Sequence, residues 1–420
     1  MGTHIREARE MLDTMTPPPA PKPGKINGCV DARAFTSRLK LLNKFGERDW
    51  GSIPILGYVT ITFDGLGSRM TIGRYGIDLN LEATLAAEGT GSTSLPAKTL
   101  LAFVSNADGD TISFEKRSGD DAVTVKCGRY NASLYPLDPT DAPRLPVPMV
   151  FARGFPMPEG VLSRLLGMTV PFMSTEETRY YLNGVCFELE ENLVRAIATD
   201  GHRLGTSEAK LPAPSLEAWD MRPIVPISAV SALAGIIGKA QCIARFHGEF
   251  VPGKEFVDER LQQKKTADEW KRQVAQFSSD DWTITTRLID GNFPDWRRVV
   301  PKSQPTNAFA SINVADIRRF SAMLGGGKEF RAVKLAPKDE ATVQLSTSGG
   351  SEGKMTGEAR AEIGGTFEPI GVNAKYLAAI AKALGSDWID VEIEGPSSPF
   401  TMRAKDSPAG DFAILMPMRV

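Results

Sequence analysis

Acid–base or nucleophilic chemistry needs titratable groups held within reach of one another, and this chain offers few of the parts. It has only three histidines, His4, His202 and His247. His4 lies in a Pro-rich leading stretch and His247 borders a highly charged segment. His202 stands two residues after Asp200, but the pair sits in a turn with no nucleophile assigned to it, which falls short of a catalytic constellation. Cys29, Cys127, Cys186 and Cys242 are scattered singly, without metal-ligand or redox spacing, as small core residues of a reducing compartment would be. No HxxxH, CxxC or acid cluster suggests a metal, and a metal-dependent nuclease would need such acids for Mg²⁺. GLGSR at Gly65 and LGGGKE at Leu324 are glycine-rich but lack phosphate-loop spacing. The residues imply no enzyme, no cofactor and no metal.

Recognition is the chemistry that remains. ATDGHRLG (Ala198 to Gly205) and LIDGNFPDWRRVVP (Leu288 to Pro301) each centre on an Asp-Gly turn with apolar flanks. The chain closes on Met416-Pro417-Met418-Arg419-Val420, where termini are usually polar and frayed. Methionine is soft and adaptable, which suits a groove that accepts varied peptides. The plainer reading stays open. Asp-Gly is an ordinary hairpin signal, and Leu182, Leu204 and Val299 are equally suited to a core.

Positioning these strings takes several domains. At 420 residues the chain exceeds one ordinary core. Its 42% hydrophobic and 24% charged content is that of a soluble globular protein. No apolar run approaches the ~20 residues of a membrane span, and the start has no secretory apolar stretch. Residues 1–24 read as a flexible Pro-rich tail. Three segments of similar pattern follow, at 25–146, 147–303 and 304–420, joined by Pro-rich linkers around Pro136–Pro148 and Pro301–Asn307. Each opens on a strand and a well-signalled helix: Asp31–Lys44, Pro158–Val170 and Asn313–Leu324. Each then repeats a strand-to-helix step, at Ser94–Val104, Ile224–Ile237 and Ile370–Leu384. The fold class is α+β, with two helices on antiparallel strands in each segment. Glu249–Phe277 interrupts the middle one. Thr266 and Glu269 form a capping-box pattern, and Trp270, Val274 and Phe277 share a helical face, which predicts a helical insertion.

The six helices are cationic while the chain carries a net charge of −2. They hold Arg33, Arg38, Lys40 and Lys44, then Lys98, Arg164, Lys239, Arg318 with Arg319, and Lys375 with Lys382. Their acids, Asp31, Glu159 and Asp316, lie in or beside first turns, where they answer the helix dipole. Gathered on one face, such helices suit a phosphate backbone. Lys and Arg are also good helix formers on any solvated face.

With RYYLNG (Arg179 to Gly184), these strings resemble the bacterial DNA polymerase III beta subunit, the replication sliding clamp, from about Gly24 to Val420. The resemblance implies three clamp domains per chain and a head-to-tail dimeric ring whose helices line a hole for double-stranded DNA. It implies a non-catalytic processivity factor, cytoplasmic and nucleoid-associated. Its partners would be itself, the polymerase III alpha subunit, the clamp loader and other clamp-binding-motif proteins. The runner-up is a phage- or plasmid-type paralogue. A peptide pocket would draw Arg179 and Leu182 from RYYLNG, and Thr199, Gly201, His202, Arg203 and Leu204 from ATDGHRLG. Pro294, Arg298 and Val299 would follow from FPDWRRV, where Trp296 stands in the family's usual tyrosine position. The third domain would add Asn373 and Tyr376, then Ile414, Met416, Pro417, Met418 and Arg419. DNA contacts would use the helix cations, except Lys44, with Arg48 from the loop before IPILG. Glu176 would weaken DNA contact near Arg179. Tyr130, Met323 and Leu324 would serve the dimer interface.

Overall fold

In this computed structural model the described residues are 25–419, except 47–52, 66–67, 118, 146–152, 191, 213–221, 252–254, 259–262, 267–268, 304–306, 325–331, 348–352, 406 and 409. The Pro-rich tail, Arg48 and Val420 lie outside them. The chain divides into two compact units, Met1–Glu159 with Ser231–Leu288, and Gly160–Val230 with Ile289–Val420. Residues 147–303 thus contribute to both.

Among the described residues, six α-helices carry the expected apolar stripes: α1 Ala32–Phe45, α2 Ala97–Asn106, α3 Val161–Thr169, α4 Ile227–Ile236, α5 Val314–Met323 and α6 Ala374–Leu384. In α1 the buried residues are Ala32, Phe35, Leu39 and Leu42, a three–four spacing that places them on one face. Asp31 caps it by accepting from Ala34 N at 2.8 Å, a bond worth about 1 kcal/mol in such positions. Asn313 and Asn373 cap α5 and α6 in the same way. Gly385, at φ +63°, ends α6 in the left-handed conformation that glycine adopts without a Cβ penalty. One of the expected helices, α3, is shorter than its pattern at both ends. Gly160 delays the start of α3, and Pro171 turns its end into a 3-10 turn, Val170–Phe172.

Each unit is built on an antiparallel sheet. In the first, an 11-stranded sheet runs Tyr130–Leu134, Val123–Cys127, Thr111–Lys116, Ile26–Asp31, Leu79–Pro96, Trp282–Arg287, Glu269–Ser278, Cys242–Val251 and Arg153–Met157, with Tyr58–Asp64 and Arg69–Tyr75 laid on the long strand. α1 and α2 pack together in this unit, over a core that includes Phe35, Leu39, Leu100 and Phe114. In the second, a 12-stranded sheet passes through Gly184–Glu190, Leu193–Thr199, Arg203–Lys210, Phe412–Leu415, Phe400–Ala404 and Trp388–Ile393. There α5 packs on α6.

The predicted helical insertion is overturned. The described residues of Glu249–Phe277 lie in strands: the end of Cys242–Val251, then Glu255–Asp258, Gln263–Thr266 and most of Glu269–Ser278. Val251 pairs with Glu269 and Phe250 with Trp270, while Phe256 pairs with Lys265. Thr266 and Glu269 therefore end one strand and begin the next. A capping box marks a helix only where the following backbone lacks another partner. Here the ladder supplies one, and aromatic and β-branched residues favour it.

Candidate peptide-docking site and cationic helices

The ATDGHRLG string folds as the turn of a hairpin between Leu193–Thr199 and Arg203–Lys210. Gly201 takes φ +88° there, a conformation that disfavours any side chain. Asp200 is spent on the turn: its Oδ1 accepts from His202 N at 2.9 Å and Arg203 N at 3.0 Å, and its Oδ2 from Arg203 Nε at 2.9 Å. Thr199 Oγ1 accepts from Gly201 N and donates to Arg203 O. A Cβ on Gly201 would fall 2.8 Å from Arg179 Nη1, so the RYYLNG string lies directly against this turn. Arg179 also pairs with Glu176 at 3.6 Å.

Tyr376, on α6, joins the turn to the third segment. The Arg203 guanidinium lies 4.2 Å from its ring centroid, within cation–π range. His202 stacks on the same ring, with centroids 6.4 Å apart. Burial, then the negative charge of Asp200, holds the Tyr376 phenol above its ordinary value, against the pull of Arg203. Asn373 sits below it as the α6 cap.

The terminal residues complete the arrangement. Phe412–Leu415 is a strand paired with Arg203–Lys210, setting Ile414 opposite Leu204. Beyond it the chain is still held: Met416 N donates to His202 O at 2.9 Å, and Met418 N to Gly371 O at 2.8 Å. Met416 remains 40% exposed, Pro417 and Met418 are half-buried, and Arg419 is exposed. Leu182, Leu204 and Ile414 are buried in one apolar cluster with Phe293, Trp296 and Phe412. They form a floor, as the core reading held, and offer little surface of their own. Pro294, Arg298 and Val299 are exposed, and connect to that cluster through Trp296, whose ring lies 6.3 Å from Phe412. Met416, Val299 and Tyr180 are exposed apolar side chains on elements joined to this floor, and Arg179, Arg298 and Arg419 are exposed cations. Such a surface can take apolar anchors and fix a peptide backbone.

Sequence reasoning missed Glu188. It is 5% exposed and holds Trp296 and Arg297 by hydrogen bonds. The signal was available in CFELE: Glu188 is two residues from buried Cys186, so strand periodicity turns an acid inward.

The predicted DNA-facing cations differ in their exposure and pairing. Arg33, Lys40, Lys98, Arg318, Arg319, Lys375 and Lys382 are exposed on their helices. Lys239 is exposed too, but α4 ends at Ile236 and leaves it in the following turn. Arg38 pairs with Asp281 at 3.0 Å. Arg319 approaches Asp316 at 3.8 Å, and hydrogen bonds from Arg360 hold the Asp316 carboxyl below its usual range. Arg164 departs most from expectation. Its guanidinium donates to buried Asp411, to Ser207 Oγ at 3.1 Å and to Glu208 O at 2.6 Å. Of the dimer candidates, Tyr130 and Met323 are 49% and 61% exposed, whereas Leu324 is buried at 7% and belongs to the core.

An α+β architecture of helices on antiparallel sheets, with a terminal strand that ends in a held apolar tail, defines the sliding-clamp class of fold. Residues 157–295 match the DNA polymerase III beta subunit, central domain. Over 381 residues the chain is 27% identical to the beta sliding clamp of Caulobacter vibrioides (strain NA1000 / CB15N), covering 88% of this chain and 93% of the relative. Against the beta sliding clamp of Escherichia coli (strain K12) it is 26% identical over 378 residues, with the same coverage. The sliding clamp of Bartonella birtlesii, solved bound to griselimycin, superposes with a TM-score of 0.78 at 25% identity, covering 94% of this chain and all of that one. The beta subunit of Thermotoga maritima shares the fold at a TM-score of 0.76 and 18% identity. Over most of its length the chain is similar to the bacterial DNA polymerase III beta subunit, the beta sliding clamp, and it has the sliding-clamp fold. These relatives do not favour the phage- or plasmid-type reading.

Proposed function

We propose that two copies of this chain close head to tail into a ring around duplex DNA and tether the replicative polymerase, with no chemistry of their own. Each copy would comprise the tail 1–24 and three domains, 25–146, 147–303 and 304–420. Exposed Tyr130 and Met323 would serve the contact between copies. The exposed cations of α1, α2, α5 and α6 would meet phosphate, with Lys239 beside them. Weak, sequence-blind phosphate contacts suit sliding, because base readout would arrest it. Processivity is then an effective-concentration effect, since the tether makes re-engagement intramolecular. A clamp loader would place the ring on primed DNA in the cytoplasm.

The observation that carries the reading is the double tie of the terminus. Backbone hydrogen bonds from Met416 to His202 and from Met418 to Gly371 hold an apolar tail at the surface. This supports a groove for short peptides of the polymerase III alpha subunit, the loader and other clamp-binding proteins. After loading, the protein is expected to stay on nicked circular DNA and to slide off once that DNA is linearised. Equal retention on both forms would exclude topological linkage.

A further inference from the structure

Glu188 lies in the strand Gly184–Glu190, on the side that carries the apolar cluster, and is 5% exposed. A carboxylate in that position is costly unless its oxygens are filled. The sheet fills one side: Arg195, directly opposite, donates to Oε2 at 3.4 Å, and Arg222 lies 3.5 Å from Oε1. The other side is filled by two consecutive residues of the single-turn 3-10 helix Trp296–Val299. Trp296 Nε1 donates to Oε1 at 3.2 Å; Arg297 donates to Oε1 at 3.2 Å and to Oε2 at 2.9 Å. The Arg297 and Arg195 guanidinium groups also lie 4.6 Å and 5.6 Å from the Trp296 ring centroid. Burial pushes the Glu188 carboxyl up. The hydrogen bonds from Arg297 and Trp296 and the nearby guanidinium charges outweigh it, and hold the group below its usual range.

A one-turn helix has no stability of its own, so its orientation comes from what grips it. Its backbone bonds are long, Arg298 N to Asp295 O and Val300 N to Arg297 O, both at 3.3 Å. Trp296 is 7% exposed within the cluster that floors the docking surface, while Arg298 and Val299, two and three residues on, face solvent. We infer that Glu188 is a positioning residue for the peptide groove: by gripping Trp296 and Arg297 from within, it fixes the rotation of their turn and thereby presents Arg298 and Val299 to a ligand. This rests on the groove reading above. Tryptophan stands where the resemblance leads one to expect tyrosine, and its indole N–H supplies one of the bonds to the acid.

The test is a set of double-mutant cycles on the full-length protein, read by titration of a fluorescein-labelled peptide from the polymerase III alpha subunit. Glu188→Gln keeps the side-chain volume and is expected to weaken binding about tenfold, equivalent to about 1.4 kcal/mol. In a background that carries both Arg298→Ala and Val299→Ala it should add little, because the side chains it presents are already gone. In a Met416→Ala background, on the terminal segment, its full effect should persist, because distant sites act independently. A general loss of stability would instead weaken binding equally in both backgrounds, and that result overturns the inference. Unchanged affinity in Glu188→Gln, with the Arg298→Ala, Val299→Ala double variant impaired, also overturns it while leaving the groove intact. Full affinity in both that double variant and Met416→Ala removes the groove reading, and the inference falls with it. Should Glu188→Gln fail to fold, Arg297→Gln cuts the same grip at a side chain that is 40% exposed. It is expected to show the same dependence on background.

Discussion

Met416 donates its backbone N–H to the carbonyl of His202 at 2.9 Å, so the end of the chain is tied to a hairpin turn more than two hundred residues earlier. The tie begins where the strand Phe412–Leu415 stops, and the residues it holds can be removed without cutting the ladder.

Deleting Met416–Val420 is therefore expected to abolish binding of polymerase-derived peptides and to leave dimerisation and DNA encirclement intact. Truncating a central anchor commonly costs ~2 kcal/mol or more, roughly a thirty-fold weakening. Met416→Ala with Met418→Ala should reproduce most of the loss. Lys405→Ala, which removes only an exposed pairing with Glu362, should not. Peptide titration with sedimentation as the dimer control checks this. Tight binding by the truncated protein would remove the terminus from the site.

Reversing the charge at Arg33, Lys40, Arg318 and Lys382 should impair loading and DNA association, with the defect shrinking as salt rises. Folding should survive, since exposed helix charges rarely move stability by more than ~0.5 kcal/mol. DNA association measured across salt concentrations decides it. An unchanged profile at low salt would set these helices apart from the DNA.

Arg164 is expected to behave differently. Asp411 is 5% exposed and accepts from Ser207 Oγ at 2.8 Å and Glu208 N at 3.0 Å as well as from Arg164. Asp411→Ala takes one of three acceptors from the Arg164 guanidinium and leaves the Glu208 backbone N–H without its acceptor, at a cost of about 1–3 kcal/mol. Arg164→Ala should also lower the melting temperature, while Lys98→Ala should not. Calorimetry of the three variants separates a structural arginine from a DNA-facing one.

Glu188 makes stability pH-dependent in a defined sense. Its carboxyl is held below the ordinary value of 4.5 in the fold. Its contribution is thus fully present above that value and is lost as pH falls through the lower folded value. The melting-temperature gap between wild type and Glu188→Gln should be widest near neutrality and should narrow in acid. A gap independent of pH would mean that the charge does not matter.

The helices were legible because their signals are local. Asp31, Asn313 and Asn373 cap helices at the positions their types predict, and the Asp200-Gly201 turn needs only the residues around it. What escaped was set by distant partners. The 249–277 segment has helical spacing, but its backbone pairs with Cys242–Val251 and within its own hairpin. Arg164 looks like another solvated helix cation until Asp411, 247 residues later, closes on it. Glu188 meets Trp296 across 108 residues. Spacing along one element cannot report a partner that the topology alone brings near.

The long strand Leu79–Pro96 sets a timetable for birth on the ribosome. Asn80–Ala83 pairs on one edge with Ile72–Tyr75, in the strand just before it, but Leu79–Ala83 pairs on the other with Trp282–Thr286, where Thr286 meets Leu79. At 5–20 residues per second, the roughly 200 residues between them take on the order of 10–40 s to translate. Through that interval the nascent chain carries an open ladder edge bordered by Leu79, Leu81 and Ala83, all buried in the finished sheet. Such edges recruit other strands. Sheltering the emerging chain, or having fewer chains in synthesis at once, should therefore raise its yield without altering any contact of the mature molecule.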